Sequence, residues 1–258
     1  MCGIVGYIGD KDAYPIIVKG LQRLEYRGYD SVGVSLFNGD QYVVKTKGKV
    51  SDLRNVINTT ETTSKTVGIG HTRWATHGVP SDVNSHPHLS NSGKISIVHN
   101  GIIENYAAIK KVLLDHGFTF YSDTDTEVLI NLIEYIKRSE NVGIYKAVQL
   151  ALNQVVGAYA IAVFDEDAPD EIIVAKLGSP LAIGVGKDEY FIASDASPFI
   201  EYTNRTVYLE DNEMGIVSRK SGLKMNSIFG SNKIITPNIQ EIQLSLEKIE
   251  KGGFDHFM

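Results

Sequence analysis

The residue best suited to covalent chemistry stands at the second position of the chain. Cys2 is the only cysteine among the 258 residues, and its small side chain after Met1 favours removal of that methionine by an aminopeptidase. Removal would place a thiol and an α-amine on one residue. A thiol with a pKa near ~8.5 is only slightly ionised at neutral pH, so it needs a base, and an α-amine with a pKa near ~8 can serve. The alternative is that Cys2 is a small buried apolar residue in an edge strand.

Asn100 and Gly101 come directly after a strand that the alternating pattern predicts over 95–99. A side-chain amide beside a backbone N–H can form a two-donor oxyanion hole. Asn-Gly is also a strong signal for a hairpin turn, and on these two residues alone the turn is the favoured interpretation.

Arg73, Trp74 and Asp125 are candidates for binding a ligand. The guanidinium of Arg73 suits a carboxylate, although a lone arginine more often forms a structural ion pair. Trp74, the only tryptophan, either gates the polar loop beside it or anchors the core. Asp125 lies between Thr124 and Glu127, whose spacing fits a helix capping box. It either favours that helix end or pairs with an ammonium, so that Arg73 and Asp125 together would recognise an amino acid.

Five of the seven histidines lie within 29 residues, which raises the question of a metal site: His71, His77, His86, His88 and His99. The same segment has one carboxylate, Asp82, and no thiol. Because catalytic zinc sites take their ligands from such groups, hydrogen-bonded structural histidines are the favoured interpretation over a zinc-dependent hydrolase. We therefore predict no metal and no cofactor.

Strands and amphipathic helices must position these residues. Alternation predicts strands over 2–8, 32–36, 42–46, 67–70 and 95–99, and helical spacing predicts helices near 17–24, 50–57, 104–116, 124–138 and 144–155. Residues 75–93 show no periodicity, and loops of that length are usually functional or disordered. Strands joined by short hairpins follow Gly157, and a last helix is predicted near 240–250. These elements predict antiparallel sheets, an α+β fold with sheet packed on sheet and helices outside, and no internal domain boundary.

Composition narrows the class of partner. The chain has 25 basic and 31 acidic residues, a net charge of −6, which argues against nucleic acid as the main partner. No apolar run approaches the ~18 residues of a membrane span, and the first residues lack the basic start of a signal peptide. A single cysteine fits a reducing compartment, so a cytoplasmic location is expected.

Several strings in order resemble one known family: MCGIVG at the start, LEYRGYDSVG (24–33), HTRWATHG (71–78), NSHPH (84–88), VHNGIIEN (98–105), SDTDTEV (122–128), GAYA (157–160), GSPL (178–181) and ASD (193–195). Together they resemble the glutaminase domains of glutamine–fructose-6-phosphate aminotransferases, a branch of the class II glutamine amidotransferases. The resemblance covers essentially the whole chain. It implies the N-terminal-nucleophile hydrolase fold, a four-layer α-β-β-α sandwich with two stacked antiparallel sheets.

The resemblance also implies a role for each candidate. Cys2 would be the nucleophile, with its own α-amine as base, and Asn100 and Gly101 would form the oxyanion hole. Arg73 would bind the α-carboxylate of glutamine and Asp125 its α-ammonium group. The remaining matched positions are Thr76 and His77 in a loop around the substrate, Trp74 as a gate for ammonia, and Arg27 in a supporting position.

Members of this family continue into two sugar-phosphate isomerase domains. The last residues, GGFDHFM (252–258), resemble the linker into them, so we expect a glutaminase domain over 1–240 and the start of a linker over 241–258. The expected activity is hydrolysis of L-glutamine to glutamate and ammonia, which the full-length enzyme would use to convert fructose 6-phosphate to glucosamine 6-phosphate, as a homodimer formed through the absent domains. The alternatives are the glutaminase half of another class II amidotransferase and a silent glutamine-binding module.

Overall fold

The computed structural model describes residues 2–76, 78–229 and 234–242. Its six α-helices are α1 Ala13–Leu24, α2 Val50–Val56, α3 Thr59–Thr62, α4 Tyr106–Asp115, α5 Asp125–Ser139 and α6 Ile144–Leu152. The strands are β1 Gly3–Ile8, β2 Ser31–Phe37, β3 Gln41–Lys47, β4 Val67–Arg73, β5 His88–Leu89, β6 Ile95–Ile103, β7 Gly157–Asp165, β8 Glu171–Leu177, β9 Ala182–Val185, β10 Tyr190–Ala193, β11 Arg205–Tyr208, β12 Glu213–Ser218, β13 Gly222–Ser227, β14 Ile234–Ile235 and β15 Gln240–Glu241.

The strands form two sheets. One has eight strands in the order β15-β11-β9-β10-β1-β4-β2-β3, and the other has seven in the order β14-β13-β12-β8-β7-β6-β5. Every pairing of neighbours among these described strands is antiparallel. The prediction of antiparallel sheets is confirmed.

Three hydrophobic clusters separate four layers. Between α1, α2 and the eight-stranded sheet lie side chains such as Ile17, Leu53 and Val5. Ile4 and Val98 belong to the cluster between the two sheets. The third cluster packs α4, α5 and α6 on the outer face of the seven-stranded sheet. The α+β, α-β-β-α sandwich expected from the sequence is therefore confirmed.

The period-two alternation of the strands decides which side chains enter the space between the sheets. In β4, Val67 and Ile69 lie in the inter-sheet core, while Gly70 faces α1 so closely that a Cβ there would lie 2.5 Å from Ile17. In β6, Val98 lies in the inter-sheet core and Ile97 faces α5. The same alternation therefore directs the later members, His71 and Arg73 of β4 and Asn100 of β6, into the inter-sheet space.

The structure corrects three local predictions. Asn100 and Gly101 do not form a turn, because β6 continues to Ile103 and pairs throughout with β7. Cys2 precedes β1, which is an inner strand between β10 and β4, so it is not part of an edge strand. The helix predicted near 240–250 begins on residues that form β15, and its remainder from 243 lies outside the described residues.

Within the described part of the chain, no helix has the length and apolar character needed to cross a membrane.

Candidate active site

One cavity lies where the two sheets part at the end of β4 and beside β6. Eight of the nine predicted site residues line it, and His77 lies outside the described residues. Its volume of about 230 Å³ is below the ~300–1,000 Å³ usual for drug-sized ligands and fits a ligand the size of an amino acid. The eight lining residues from the prediction are Cys2, Arg27, Arg73, Trp74, Thr76, Asn100, Gly101 and Asp125.

The thiol of Cys2 contacts the backbone of Trp74. The Trp74 N–H donates to Sγ at 3.1 Å, and Sγ lies 3.5 Å from the Trp74 carbonyl oxygen. Burial raises the pKa of the Cys2 thiol, and the hydrogen bond from the Trp74 backbone lowers it by less. The sulfur thus sits in a place that favours the neutral thiol, so attack on a substrate requires a base to take the proton.

Arg73 is the last residue of β4, and its side chain is 3% exposed. Its Nη2 donates to the carbonyl oxygen of Gly78 at 3.1 Å. Burial lowers the pKa of Arg73, while its electrostatic interactions with Cys2, Asp30 and Asp125 act in the opposite direction. A guanidinium in this position remains charged and offers a planar, two-pronged donor to an anion in the cavity.

Asp30 fixes the backbone that carries Arg73 and Trp74. Its N–H donates to the Arg73 carbonyl oxygen at 3.0 Å, and its Oδ2 accepts from the N–H of Ala75 at 2.9 Å. Gly28 packs so closely on this backbone that a Cβ there would lie 2.9 Å from the Trp74 nitrogen. The RGYDS string thus positions the segment that contacts the sulfur.

Asn100 is 8% exposed and makes three side-chain hydrogen bonds. Its Nδ2 donates to the Cys2 carbonyl oxygen at 3.1 Å and to Ser194 Oγ at 3.0 Å. Its Oδ1 lies 2.9 Å from His71 Nε2. Gly101 follows with φ +137°, and a Cβ there would lie 2.0 Å from the Ala158 carbonyl oxygen, so this position requires glycine.

Asp125 is the first residue of α5 and is 4% exposed. Its Oδ2 accepts the N–H of Ile103, the last residue of β6, at 2.7 Å. The side chain of Thr124 caps α5 by accepting the N–H of Glu127 at 3.3 Å. The Thr124 half of the predicted capping box is therefore present, whereas the Glu127 carboxylate accepts the N–H groups of Tyr121 and Ser122 instead. This cap coexists with the buried Asp125 carboxylate that faces the cavity.

The buried histidines hydrogen-bond to the protein. His86 Nε2 and His99 Nδ1 both lie within 3.0 Å of Thr126 Oγ1, and His88 Nε2 lies 3.0 Å from Thr124 Oγ1. Burial lowers the pKa of His71 to about 3 and those of His86 and His88 well below their usual range. Lys45 secures the loop that carries two of them, because its Nζ donates to the carbonyl oxygens of Val83, Ser85 and Pro87.

Trp74, Arg27 and Thr76 also line the cavity. Trp74 is 49% exposed and packs edge-on against Tyr29, so it is not a core anchor. Arg27 Nη1 forms an ion pair with Asp195 Oδ2 at 2.9 Å. Thr76 is exposed. Trp74 and Thr76 therefore form a solvent-exposed part of the cavity lining.

Sequence reasoning named no role for several groups at the site. Ser194 contacts Asn100, Asp195 holds Arg27, and Ser179 and Pro180 line the cavity. Their only signal was membership of the ASD and GSPL strings. His71 was grouped with the other histidines, and its contact with Asn100 could not be seen from spacing alone.

A glutamine amidotransferase domain model matches residues 52–243, about three quarters of the chain. The chain belongs to this glutamine amidotransferase family. Cys2 and Arg27 precede the matched residues, whereas Arg73, Asn100 and Asp125 lie within them. The family match thus covers the groups placed to bind a ligand, and the thiol joins them in the folded structure.

Longer relatives match the chain from end to end. Glutamine–fructose-6-phosphate aminotransferase [isomerizing] from Bacteroides thetaiotaomicron is 56% identical over 260 residues, covering 100% of this chain and 42% of the relative. The protein of the same name from Chlorobaculum tepidum is 52% identical, with the same coverage. The chain therefore spans about two fifths of the length of the curated relatives it matches.

Solved structures support the fold. Glutamine phosphoribosylpyrophosphate amidotransferase from B. subtilis aligns with a TM-score of 0.76 at 29% identity, covering 90% of this chain and 50% of that one. A glutamine aminotransferase class-II domain protein from Silicibacter pomeroyi aligns at 0.56 and 15% identity, over 89% of this chain and 100% of that one, and shows the fold alone. The N-terminal-nucleophile hydrolase fold implied by the resemblance is confirmed.

Proposed function

We propose that the chain hydrolyses the side-chain amide of L-glutamine to glutamate and ammonia. The observation that carries the proposal is one small cavity lined by the Cys2 thiol, the Arg73 guanidinium and the Asp125 carboxylate. A free amino acid has one group complementary to each charge and, in glutamine, an electrophilic amide at the end of its side chain. Its α-carboxylate would bind Arg73 and its α-ammonium would bind Asp125, which leaves the amide carbon for the thiol.

The α-amine of Cys2, exposed once Met1 is removed, is the base in this proposal. It takes the thiol proton as Sγ attacks the amide carbon, and the carbonyl electron pair moves to oxygen. Collapse of the tetrahedral intermediate breaks the C–N bond, and the proton on the α-amine goes to the departing nitrogen, which leaves as ammonia. Water then attacks the γ-glutamyl thioester while the amine takes a proton from that water. Collapse of the second tetrahedral intermediate breaks the C–S bond, glutamate leaves, and the proton returns from the amine to the sulfur to regenerate the thiol.

Asn100 Nδ2 and the backbone N–H of Gly101 are the proposed oxyanion donors. Both Nδ2 hydrogens already have acceptors, Cys2 O and Ser194 Oγ. To stabilise the oxyanion, Asn100 must share one of these hydrogens with it, or move one to it, when the tetrahedral intermediate forms. Loss of one oxyanion donor typically lowers the rate by ~10²–10³-fold.

The proposed use of the ammonia rests on the longer relatives. We place the chain, over residues 1–240, as the glutaminase domain of a glutamine–fructose-6-phosphate aminotransferase, with 241–258 as the start of the linker. The sugar isomerase domains would receive the ammonia and form glucosamine 6-phosphate, and the homodimer would form through them. Thr76 and His77 would surround glutamine, Trp74 would gate ammonia passage, and Arg27 would support the site. The single cysteine supports a cytoplasmic location.

The decisive experiment is an intact-mass spectrum of the purified chain before and after exposure to 6-diazo-5-oxo-L-norleucine, an electrophilic glutamine analogue. We expect the mass of the chain without Met1, then one adduct located on Cys2. Competition by L-glutamine but not by L-asparagine should protect the thiol. A chain that stays unlabelled after Met1 has been removed would contradict the glutaminase assignment and favour the silent glutamine-binding module.

A further inference from the structure

A hydrogen-bond network around the Asn100 side chain sets the direction of its amide hydrogens. Cys2 O is an acceptor only, so the Asn100 atom 3.1 Å away must be the nitrogen. The other amide atom, facing His71 Nε2 at 2.9 Å, is then the oxygen. The His71 nitrogen must therefore be the N–H donor, which makes His71 an Nε2–H tautomer with a bare Nδ1.

His71 is well placed to hold this bond. It lies in β4, in register with Ile4 of β1 on one side and Gly33 of β2 on the other, and its side chain is completely buried. No described residue hydrogen-bonds to its Nδ1. The ring of His86 faces it, with ring centroids 4.3 Å apart. The charges of His99 and Arg73 disfavour a positive charge on the ring, whereas hydrogen bonds to the Asn100 side chain and the His99 backbone favour one. Burial is the largest influence and lowers the pKa to about 3, so the ring is neutral between pH 5 and 8.

Resting on the proposed glutaminase function, we propose that His71 is a positioning residue: its Nε2–H holds Asn100 Oδ1 and thereby directs the Asn100 N–H bonds toward Cys2. Ser194 supports the same orientation from the other side. Its Oγ accepts the N–H of Ile4 at 2.8 Å and Asn100 Nδ2 at 3.0 Å. The amide is thus held at its oxygen by a donor and at its nitrogen by acceptors.

Loss of the His71 donor would leave a buried carbonyl oxygen without a partner, which is costly. Rotation of the amide about its Cβ–Cγ bond toward another donor would turn the N–H bonds away from the reacting oxygen. Glutamine binding through Arg73 and Asp125 does not involve this bond. The turnover number should therefore fall while KM changes little.

The test compares His71→Met with His71→Gln in the full chain after Met1 removal. The two side chains have similar length and flexibility, but only glutamine offers an N–H near the position of Nε2. His71→Met should lower kcat for glutamine hydrolysis by roughly 10–100-fold with KM within about threefold, and His71→Gln should recover kcat to within about threefold of the original chain. His88→Met, which removes another buried imidazole with no contact to Asn100, measures the general cost of such a change.

Equal kcat values for His71→Met and His71→Gln would overturn the positioning role. A second measurement tests the positioning role of His71 without depending on catalysis or on the folding of either variant. In the unsubstituted chain, ¹⁵N NMR of the His71 ring should show a neutral Nε2–H tautomer that does not titrate between pH 5 and 8, and an Nδ1–H tautomer would refute the proposal. Absence of glutamine hydrolysis by the unsubstituted chain would instead reject the proposed function while the tautomer result still stands.

Discussion

The two walls of the cavity are held in different ways. The β4 wall comprises Cys2, Arg73, Trp74 and Thr76, and the β6 wall comprises Asn100, Gly101 and Asp125. On the β4 wall, Trp74 is half exposed and the sulfur hydrogen-bonds only weakly to backbone atoms of the segment that follows the strand. On the β6 wall, Asn100 and Asp125 are buried, and strong hydrogen bonds from strand backbone or side chains hold both.

This difference matches the demands of the proposed chemistry. The sulfur must exchange a proton and form and break a bond to carbon, so it sits where substrate and water reach it. Asp125 has only to present a fixed charge, and Asn100 has only to share an amide hydrogen that already points toward Cys2; groups held in place before the reaction are the most effective. Substitutions of Cys2 and Trp74 in the β4 wall should therefore affect chemistry with little effect on stability, whereas those in the β6 wall should affect both.

Cys2→Ala is expected to have the largest effect on rate. Loss of the nucleophile should reduce glutamine hydrolysis by ~10⁴-fold or more, because no other described group on the β4 wall can form the thioester. The free energy of unfolding, measured by urea titration, should change by less than about 1 kcal/mol, since the sulfur makes only weak contacts. Hydrolysis that persists within tenfold of the original rate would contradict the role of the thiol.

Asn100→Ala should lower kcat by ~10²–10³-fold with a modest change in KM, because it removes a proposed oxyanion donor but neither ligand-binding charge. Unlike Cys2→Ala, it should also destabilise the fold, by about 1–3 kcal/mol, since His71 and Ser194 lose a buried partner. Steady-state kinetics and urea unfolding on the same sample check both parts. Asn100→Asp serves as the matched variant that keeps the shape and removes the donor, and near-normal turnover in either would reject the oxyanion role.

Arg73→Lys should raise KM for glutamine by about tenfold and leave kcat within about threefold. A point-like ammonium replaces a planar fork that can contact both carboxylate oxygens. Arg23→Lys is the matched control, since Arg23 contacts the carbonyl oxygens of Ser197 and Pro198 rather than the cavity. An unchanged KM in Arg73→Lys would count against carboxylate binding at this position.

The buried histidines around the cavity predict a smaller effect, on stability at mild acidity. Burial lowers the pKa values of His71, His86 and His88, so between about pH 6.5 and 5 the unfolded chain binds protons that the folded chain does not. Stability should therefore fall as pH falls through this window, by roughly 1.4 kcal/mol per pH unit for each such histidine. Urea unfolding at pH 7.5, 6 and 5 measures the slope of the unfolding free energy against pH. His71→Gln should reduce this slope by the contribution of one proton, roughly 1.4 kcal/mol per pH unit. An unfolding free energy that does not change with pH would show that these histidines take up protons as easily in the folded chain as in the unfolded chain.

The layers of the fold were predictable because strand alternation and helix spacing are local signals that burial enforces. The last strands carry little of this signal, because β13 has one buried residue, Met225, and β14 and β15 have two residues each. The turn predicted at Asn100–Gly101 was wrong because pairing of Gly101 with Tyr159 of β7 overrides a local preference. The pairing with a strand about 60 residues later cannot be predicted from Asn100 and Gly101 themselves.

The site shows the same division. Cys2, Arg73 and Asp125 were nominated because each carries a reactive or charged group at a marked place in the pattern. His71 and Ser194 stand 29 and 94 residues from Asn100, and only the stacking of the two sheets brings them together. Residue type shows which side chains can react or bind a ligand. Only the folded structure shows which side chains, such as His71 and Ser194, orient them.

The hydrogen bond from the Trp74 N–H to the Cys2 sulfur gives the chain a built-in optical reporter. Trp74 is the only tryptophan, so all indole fluorescence comes from a half-exposed ring on the residue that contacts the nucleophile. Acylation replaces the S–H bond by a bond to the γ-glutamyl carbon, which makes the sulfur a weaker acceptor for this N–H and places an acyl group beside the ring. Stopped-flow emission can thus follow formation and loss of the thioester without any label.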